Sequence, residues 1–545
     1  MKAERLFLFD TTLRDGQQTQ GVQFSTEEKT EIAHLLDALG LDYIEGGWPG
    51  ANPTDDAFFD GRPETRATFT AFGMTKRAGR SAENCDVLAA VLNAGTSAVC
   101  LVGKTHDFHV ERALGISLDE NLNGIRESIA HLVKQGREAI FDAEHFFDGY
   151  KASPEYALDC IQAAFEAGAR WVALCDTNGG TLPHEVSEIT SAVINAGIPG
   201  NNLGIHTHDD TGNAVAGALA AVDAGARQIH GTLNGLGERC GNANLTTLIP
   251  TLMLKEPYAS RYETGVGREA LARLTRTSRV LDDILNRVPL RSAPYVGASA
   301  FAHKAGLHAS AIAKDPKTYE HIDPASVGNA RVVPMSNQAG QSNLIKRLSE
   351  MGISVEKGDP ALVAILGEVK RREALGYAYD SAQASFELLA RAALGLSAEF
   401  FEVERYRVIS ERRRNARGEI VVESEAVVTI STGDGQQTSY FKNEHAQDLH
   451  DDGPVNALWQ ALKSDLGPFQ SQIQDVRLTD FKVRITQGGT EAVTRVIIDF
   501  ADDSGRFWST VGVSANIVDA SFGALLDAVN WKLAREEGEM GKAAE

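Results

Sequence analysis

The sequence predicts an α/β protein: a closed TIM (β/α)8 barrel, followed by a helical linker region and a C-terminal α+β domain. In the first half, helical stretches end in glycine and an apolar run follows at once, as in DALGLDYIEGG and EAGARWVALCDT. Continuous apolar runs are typical of strands that are buried on both faces. After about residue 400 the period of the apolar residues changes, which indicates a separate module of strands and helices.

Eight barrel strands are expected, at 5–10, 41–46, 67–73, 97–103, 138–144, 170–176, 203–208 and 227–233. A helix fits between most neighbouring strands. The first helix begins after Ser25 with the cap-like sequence Ser-Thr-Glu-Glu and carries an apolar stripe from Ile32 to Leu39. A doubly wound open sheet is the alternative, but eight regular units in about 250 residues favour closure.

We place the barrel at 1–280, helical linker subdomains at 281–400 and the C-terminal α+β domain at 401–545. The linker region contains a long helical run from Pro360 to Gly395. In the last domain, the stretches that flank RRRNARGE predict a β-hairpin, and DFKVRI and TRVIIDF predict further strands. Helices containing VNALWQAL and FGALLDAVNWKL complete the predicted domain.

The charge of the chain argues against nucleic acid and against an anionic membrane as the main partner. There are 74 acidic residues and 53 basic ones, which gives a formal charge of −21. The five cysteines form no C-x-x-C pair, so neither a disulfide framework nor a zinc ribbon is indicated. No apolar run approaches the roughly 18 residues that span a bilayer. We therefore expect a cytoplasmic protein.

Polar and ionisable residues are concentrated at the C-terminal ends of the predicted strands, while the strand starts show no such concentration. These ends contain Asp10 to Asp15, Glu45, Gly73, Lys104, Glu144, Asp176 to Asn178, His206 to Asp209 and Asn234 to Asn242. In TIM barrels the chemistry lies at the C-terminal ends of the strands. The pattern therefore predicts an active site at this end rather than a purely structural barrel.

A metal site is the sharpest local prediction, because His206 and His208 are two residues apart on a strand and project from the same face. An isolated pair of this kind is more often two ordinary polar histidines. Here the closed ring makes strands seven, eight and one neighbours, which brings Asp15 and Asn242 to the same point. Two imidazoles, a carboxylate and an amide oxygen suit Zn²⁺ or Mn²⁺, with Mg²⁺ less natural.

Arg14 stands directly before Asp15, where a buried strand gives way to a loop. We expect Asp15 to hold the metal while Arg14 reaches the substrate oxygen that the metal also holds. A cation and a Lewis acid on one carbonyl oxygen polarise it and stabilise the alkoxide that forms on attack. The alternative is a surface salt bridge, which would be worth little and does not explain the position after an apolar strand.

The motifs DTTLRDGQQ, HTHDDTGNA and NGLGERCGNANL resemble those of the metal-dependent Claisen-condensing family, which includes 2-isopropylmalate, homocitrate and citramalate synthases. The resemblance covers nearly the whole chain, and YIEGGWPGANPTDDAFF is similar to the citramalate branch. It implies a divalent metal on Asp15, His206, His208 and Asn242, with Arg14 on a 2-keto acid. It also implies acetyl-CoA as second substrate and a C-terminal regulatory domain that binds the end product of the pathway.

Five further positions match the family. Glu144 matches an active-site glutamate, Thr177 a threonine that binds the keto-acid carboxylate, and Glu238 a glutamate beside the metal. His308 and Tyr319 match residues of a linker that reaches over the partner subunit, which implies a homodimer with a shared active site; their alternative is capping or packing of a helix. Glu144 and His308 are the expected bases that remove a proton from the acetyl methyl group.

The resemblance favours pyruvate as the keto acid, which gives (R)-citramalate, and isoleucine as the effector. Trp48, after strand two, could exclude a branched chain. The alternatives are 2-ketoisovalerate, which gives 2-isopropylmalate, with leucine as effector; a carbon–carbon lyase on the same barrel; and a non-catalytic amino-acid sensor. Asn178 and Asp142 depart from or vary among the relatives, and both bear on which keto acid fits.

Overall fold

The structure is a computed structural model that describes residues 3–287, 289–303, 306–332, 341–396, 400–414, 418, 420–433, 435–446, 453–486 and 492–543. The chain divides into two compact units. The first is Met1–Phe301 with His321–Arg331, and the second is Ala302–Glu320 with Val332–Glu545. The division into three domains at 280 and 400 stays a prediction.

The first unit contains the predicted barrel. Its eight parallel strands form one closed ring, in chain order: β1 Phe7–Asp10, β2 Tyr43–Gly47, β3 Thr68–Met74, β4 Ala98–Lys104, β5 Glu138–Glu144, β6 Trp171–Asp176, β7 Leu203–Thr207 and β8 Gln228–Gly231. β1 pairs with β8, for example Phe9 opposite His230, and this pairing closes the ring. The expected number and order of the strands are confirmed.

One helix covers each strand on the outside. These helices are Thr26–Leu39, Pro53–Asp60, Asp86–Asn93, Leu118–Lys134, Pro154–Glu166, Pro183–Asn195, Ala214–Ala224 and Leu245–Leu254. The first has the capping box that the sequence predicts: Glu28 N donates to Ser25 Oγ at 3.2 Å, and Ser25 N donates to Glu28 Oε2 at 2.7 Å. It ends at Gly40, whose φ of 96° closes the helix.

The barrel interior is apolar towards the strand starts and polar towards the strand ends. A ring of aromatic and small residues fills it, including Phe9, Tyr43, Phe72, Cys100 and Trp171. A short parallel pair, Glu4–Arg5 with Tyr262–Glu263, and the helices Tyr258–Arg261, Arg268–Leu271 and Leu274–Ile284 complete the first unit. Within the barrel, the polar side chains are therefore concentrated at the mouth formed by the C-terminal strand ends.

The second unit combines helices with two antiparallel sheets. Its helices are Gly306–Lys314, Gln341–Glu350, Pro360–Ala374, Gln383–Ala393, Pro454–Ser464, Gln470–Ile473 and Ile517–Ala543. One sheet contains β9 Glu402–Arg414, β10 Ile420–Thr432 and β11 Gly435–Ala446, and the other contains β12 Arg477–Ile485, β13 Thr494–Ala501 and β14 Phe507–Ser514, both in chain order. Trp459, Phe500 and Trp508 lie in the core that these elements share.

Two details of this unit differ from the sequence prediction. The helical run from Pro360 to Gly395 is two helices, because the chain turns after Leu375 at Gly376, whose φ is 113°. β11 and β14 are strands that the sequence analysis did not identify. Within the part of the chain that the structure describes, no helix has both the length and the apolarity to cross a bilayer.

A buried ion pair joins the first helix to the helix Pro53–Asp60, which follows β2. Lys29 is fully buried; its Nζ donates to Asp55 Oδ1 and, at 3.0 Å, to Gly46 O. Asp55 Oδ2 in turn accepts from Trp48 N at 2.8 Å. This pair therefore holds one side of the barrel mouth.

We expect Lys29→Met to lower the free energy of unfolding by about 3–5 kcal/mol, because Asp55 stays buried without its counter-charge. Lys134→Met is the matched control, since the Lys134 ion pair with Glu83 is 69% and 63% exposed and is worth about 0–1 kcal/mol. Urea unfolding followed by circular dichroism measures both. Equal losses in the two variants would contradict this account.

Candidate active site

Three predicted metal ligands meet at the C-terminal mouth of the barrel. Asp15 Oδ2 lies 3.1 Å from His206 Nε2 and 3.9 Å from His208 Nε2, and the two Nε2 atoms are 3.2 Å apart. All three side chains are buried. The expected convergence of strand seven and the turn after strand one is therefore present in the structure.

Local backbone structure explains why these side chains converge. The chain turns sharply after β1, where the N–H groups of Asp15 and Gly16 donate to Thr11 O at 2.8 and 3.0 Å. After β7, the backbone of His208 pairs antiparallel with that of Asn242. The loop before Asn242 needs glycine at Gly241, where φ is 93° and a Cβ would collide with Gly235 O.

Asn242 completes the cluster. Its Nδ2 donates to Asp15 Oδ2 at 2.6 Å, and among the described residues its buried Oδ1 has no hydrogen-bond partner. A buried amide oxygen without a partner is costly. With the amide turned by 180°, this oxygen would lie where Nδ2 lies now, beside Asp15 Oδ2 and His206 Nε2, and could bind a cation there. All four predicted ligands are therefore adjacent.

The donor set and its spacing fit a divalent cation. Bonds of about 2.0–2.2 Å to a shared Zn²⁺ separate tetrahedral ligand atoms by roughly 3.3–3.6 Å. The distances between the three nitrogen and oxygen donors, 3.1 to 3.9 Å, bracket that range. Two imidazoles with oxygen donors suit Zn²⁺ or Mn²⁺ better than Mg²⁺.

The charges of Asp15 and His208 suit metal ligands. Burial alone would raise the pKa of Asp15, but the Arg14 guanidinium and the hydrogen bond with His206 hold it well below its ordinary value. Burial, together with the neighbouring His206, lowers the pKa of His208 to about 3. Asp15 is thus a carboxylate and His208 a neutral imidazole, which are the forms that bind metal.

Arg14 is fixed on three sides and is not a surface residue. Its Nε donates to Glu45 Oε2 at 2.6 Å, its Nη1 lies 3.5 Å from Asp15 Oδ1, and its guanidinium carbon lies 3.8 Å from the centre of the Phe72 ring. Burial would lower the pKa of Arg14, but Glu45 and Asp15 raise it. A permanent, oriented cation therefore lies beside the cluster of candidate metal ligands.

Glu144 and Thr177 lie on neighbouring strand ends. Glu144 Oε2 forms an ion pair with Lys104 Nζ at 2.6 Å. Thr177 Oγ1 accepts from His145 N at 2.8 Å, so its own proton is free to point elsewhere. His145 has a left-handed backbone, with φ of 58°, and its ring stacks on His109 at 3.9 Å.

Glu238, His308 and Tyr319 make other contacts. Glu238 is exposed, and its carboxylate lies 3.7 Å from Arg239. His308 and Tyr319 belong to the second unit, where their rings stack at 4.0 Å. The roles of Arg14, Glu144, Thr177, Glu238, His308 and Tyr319 stay predictions.

Sequence analysis gave Glu45 no role in the site and connected Asp142 only with the choice of keto acid, and it did not identify Arg239, Gln228 and His230. Arg239 Nη2 lies 3.0 Å from His208 Nδ1, and it donates to Thr177 O and Asp210 Oδ2 at 2.7 and 2.8 Å. Binding of a metal through His208 Nε2 puts the proton on Nδ1, so Arg239 Nη2 would then keep only Thr177 O and Asp210 Oδ2 as acceptors. The alternation of Gln228 and His230 along β8 was the one signal that could have indicated inward-facing polar residues.

Comparison with known proteins places three family models along the chain. Residues 5–277 match the HMGL-like model, 295–373 the homocitrate synthase post-HMGL domain-like model, and 380–533 the LeuA allosteric (dimerisation) domain. The chain is 45% identical to the (R)-citramalate synthase of Aquifex aeolicus, over 98% of this chain and 99% of that one. It is 46% identical to the (R)-citramalate synthase of Synechocystis sp., over 98% and 97%. A 2-isopropylmalate synthase of Acidimicrobium ferrooxidans is 31% identical, over 97% and 96%.

We expect Asp15→Asn to weaken Zn²⁺ binding by more than the roughly 10–100-fold that loss of an outer-shell partner costs. The variant keeps the side-chain shape and removes the ligand charge. Competition with a chelating indicator measures the affinity. His34→Gln, on the exposed face of the first helix, is the control. If Asp15→Asn bound Zn²⁺ as tightly as the parent protein, this cluster would be excluded as the metal site.

Proposed function

Because the chain belongs to the HMGL-like family and, within it, to the family of the (R)-citramalate synthases, we propose that it condenses acetyl-CoA with pyruvate. Hydrolysis of the thioester then gives (R)-citramalate and CoA. The reaction is an acyl transfer in which the acetyl group becomes an alkyl group. Identity of 45–46% over 98% of this chain carries the proposal, and the cluster of Asp15, His206 and His208 supports it.

Pyruvate is favoured over 2-ketoisovalerate by two observations. Five relatives called (R)-citramalate synthase are 42–46% identical at 97–98% coverage, whereas one called 2-isopropylmalate synthase is 31% identical. Beside Arg14, the ring of Phe72 meets that of Trp48 edge-on at 5.3 Å. This aromatic wall suits a methyl group better than a branched chain, and we propose that it sets the preference.

We propose that Asp15, His206, His208 and Asn242 hold one divalent cation, Zn²⁺ or Mn²⁺ before Mg²⁺. When bound, such a cation acts as a Lewis acid on the keto group. Arg14 donates to the same keto oxygen and stabilises the negative charge that develops there. Glu45 keeps the guanidinium in place, and the Thr177 hydroxyl donates to the substrate carboxylate.

Proton removal is assigned to the carboxylate of Glu144 and to His308. One of them takes a proton from the acetyl methyl group, and the resulting enolate attacks the keto carbon of pyruvate. The new carbon–carbon bond leaves an alkoxide, which is then protonated. Water attacks the thioester carbonyl, and CoA leaves as the thiol. Glu238 and Tyr319 are proposed as further members of the site from the family resemblance.

The C-terminal match supports a proposal on assembly and regulation. The LeuA allosteric (dimerisation) match at 380–533 supports oligomerisation, and we propose a homodimer in which the linker with His308 and Tyr319 completes the partner's site. Isoleucine, as end product, is the proposed effector, and leucine is the alternative. The glycine-rich segment ITQGGTEAV resembles part of the family's regulatory domain, and its residues 487–491 lie outside the described residues. The five cysteines are free, in keeping with the cytoplasm as the proposed compartment.

Turnover of pyruvate and acetyl-CoA tests this function, with a thiol reagent for released CoA and chiral chromatography for the product. We expect (R)-citramalate, loss of activity with chelator, recovery with Zn²⁺ or Mn²⁺, and inhibition by isoleucine rather than leucine. Preference for 2-ketoisovalerate would make the chain a 2-isopropylmalate synthase. Cleavage of a 2-hydroxy acid without condensation would indicate a lyase, and silence with every keto acid would indicate a sensor.

We expect Arg14→Lys to lower kcat/KM for pyruvate by about 10²–10³-fold, because an ammonium cannot donate to Glu45 and to the keto oxygen in the geometry of a guanidinium. Steady-state kinetics at saturating acetyl-CoA measure this. Arg66→Lys, at a side chain that is 79% exposed, should change kcat/KM less than about twofold. A similarly small effect at position 14 would refute the role of Arg14.

A further inference from the structure

His230 lies directly behind one of the proposed metal ligands. β7 and β8 pair with Gly204 opposite Gln228 and Ile205 opposite Ile229, so His206 and His230 come next to each other on the inner face. His230 is 1% exposed, and its ring stacks on Phe9 with 4.2 Å between the ring centres. The imidazole is therefore fixed inside the barrel, next to the candidate metal ligands.

A chain of hydrogen bonds runs from His206 into the barrel. His206 Nδ1 lies 3.3 Å from His230 Nδ1, and His230 Nε2 lies 2.9 Å from Gln228 Oε1. Gln228 is fully buried and occupies the space beside Gly204, where a Cβ would come within 2.9 Å of Gln228 Oε1. A larger residue at position 204 would displace Gln228, the last member of this hydrogen-bond chain.

The direction of the protons in this chain follows from ligation. A neutral His206 that binds metal through Nε2 carries its proton on Nδ1. That N–H needs an acceptor, and the nitrogen opposite it is His230 Nδ1. His230 must then carry its own proton on Nε2, where Gln228 Oε1 accepts it. The three side chains satisfy each other in this one direction.

We propose that His230, held by Gln228, is a positioning residue that fixes the proton and ring orientation of His206 and so raises the metal affinity of the cluster. This proposal depends on the metal site put forward above. Outer-shell partners of a ligating histidine typically contribute about 10–100-fold to metal affinity. Asp142 competes with His206 for His230 Nδ1. Its Oδ1 lies 3.7 Å from that nitrogen and, among described residues, has no hydrogen-bond partner.

Three substitutions of His230 separate hydrogen bonding from packing. In His230→Asn the amide oxygen takes the place of Nδ1 and can still accept from His206. In His230→Gln the oxygen reaches the place of Nε2, and in His230→Leu no acceptor is present. Zn²⁺ affinity of the full chain is measured by competition with a chelating indicator, and the metal-free thermal midpoint reports on folding.

We expect His230→Asn to stay within about threefold of the parent protein, while His230→Gln and His230→Leu lose about 10–100-fold in Zn²⁺ affinity. Equal affinities in all three variants, or losses that follow the metal-free thermal midpoint, would overturn the proposal. Asp142→Asn should leave the affinity within about threefold, and a full loss there would assign the acceptor to Asp142 instead. A parent protein without a tight Zn²⁺ site would refute the metal site itself, which distinguishes the two failures.

Discussion

The pairing of β1 with β8 is the contact on which the site depends. Phe7 to Asp10 lie opposite Gln228 to Gly231, and this register closes the ring. Only in a closed ring does the turn after β1 stand next to the ends of β7 and β8. Asp15 and Asn242 are 227 residues apart in sequence, yet they share a 2.6 Å hydrogen bond. The ligand cluster is thus a product of barrel closure.

Charge balance at the mouth favours a bound cation. Asp10, Asp15, Glu45 and Asp142 are at most 3% exposed, and among them Arg14 is the nearby permanent cation. Burial raises the pKa of both Asp10 and Glu45 to about 7, which shows how costly further negative charge is there. Arg14 already compensates Glu45 and part of Asp15. A divalent cation would offset the rest.

The sequence predicted the elements that have a strong local signal. Apolar runs, several of them directly after glycine, located the eight strands, and the two-residue spacing of His206 and His208 located the candidate ligands. It could not predict which residues contact Arg14 and His206. Glu45 and His230 make these contacts, and their positions depend on the register between neighbouring strands. The same limit applies to β11, whose sequence GQQTSYFKNEHA is largely polar and pairs through its backbone.

In the proposed reaction, substrate choice and catalysis depend on one connected group of side chains. The Phe72 ring lies against the Arg14 guanidinium on one side and meets Trp48 on the other. Trp48 N is in turn bound by Asp55, the partner of buried Lys29. In the proposed reaction, the wall that admits the methyl group of pyruvate is therefore the wall that orients the cation on its keto oxygen. A change that widens the wall for a branched substrate would also loosen Arg14, so we expect keto-acid preference in this chain to be coupled to the rate of the chemical step.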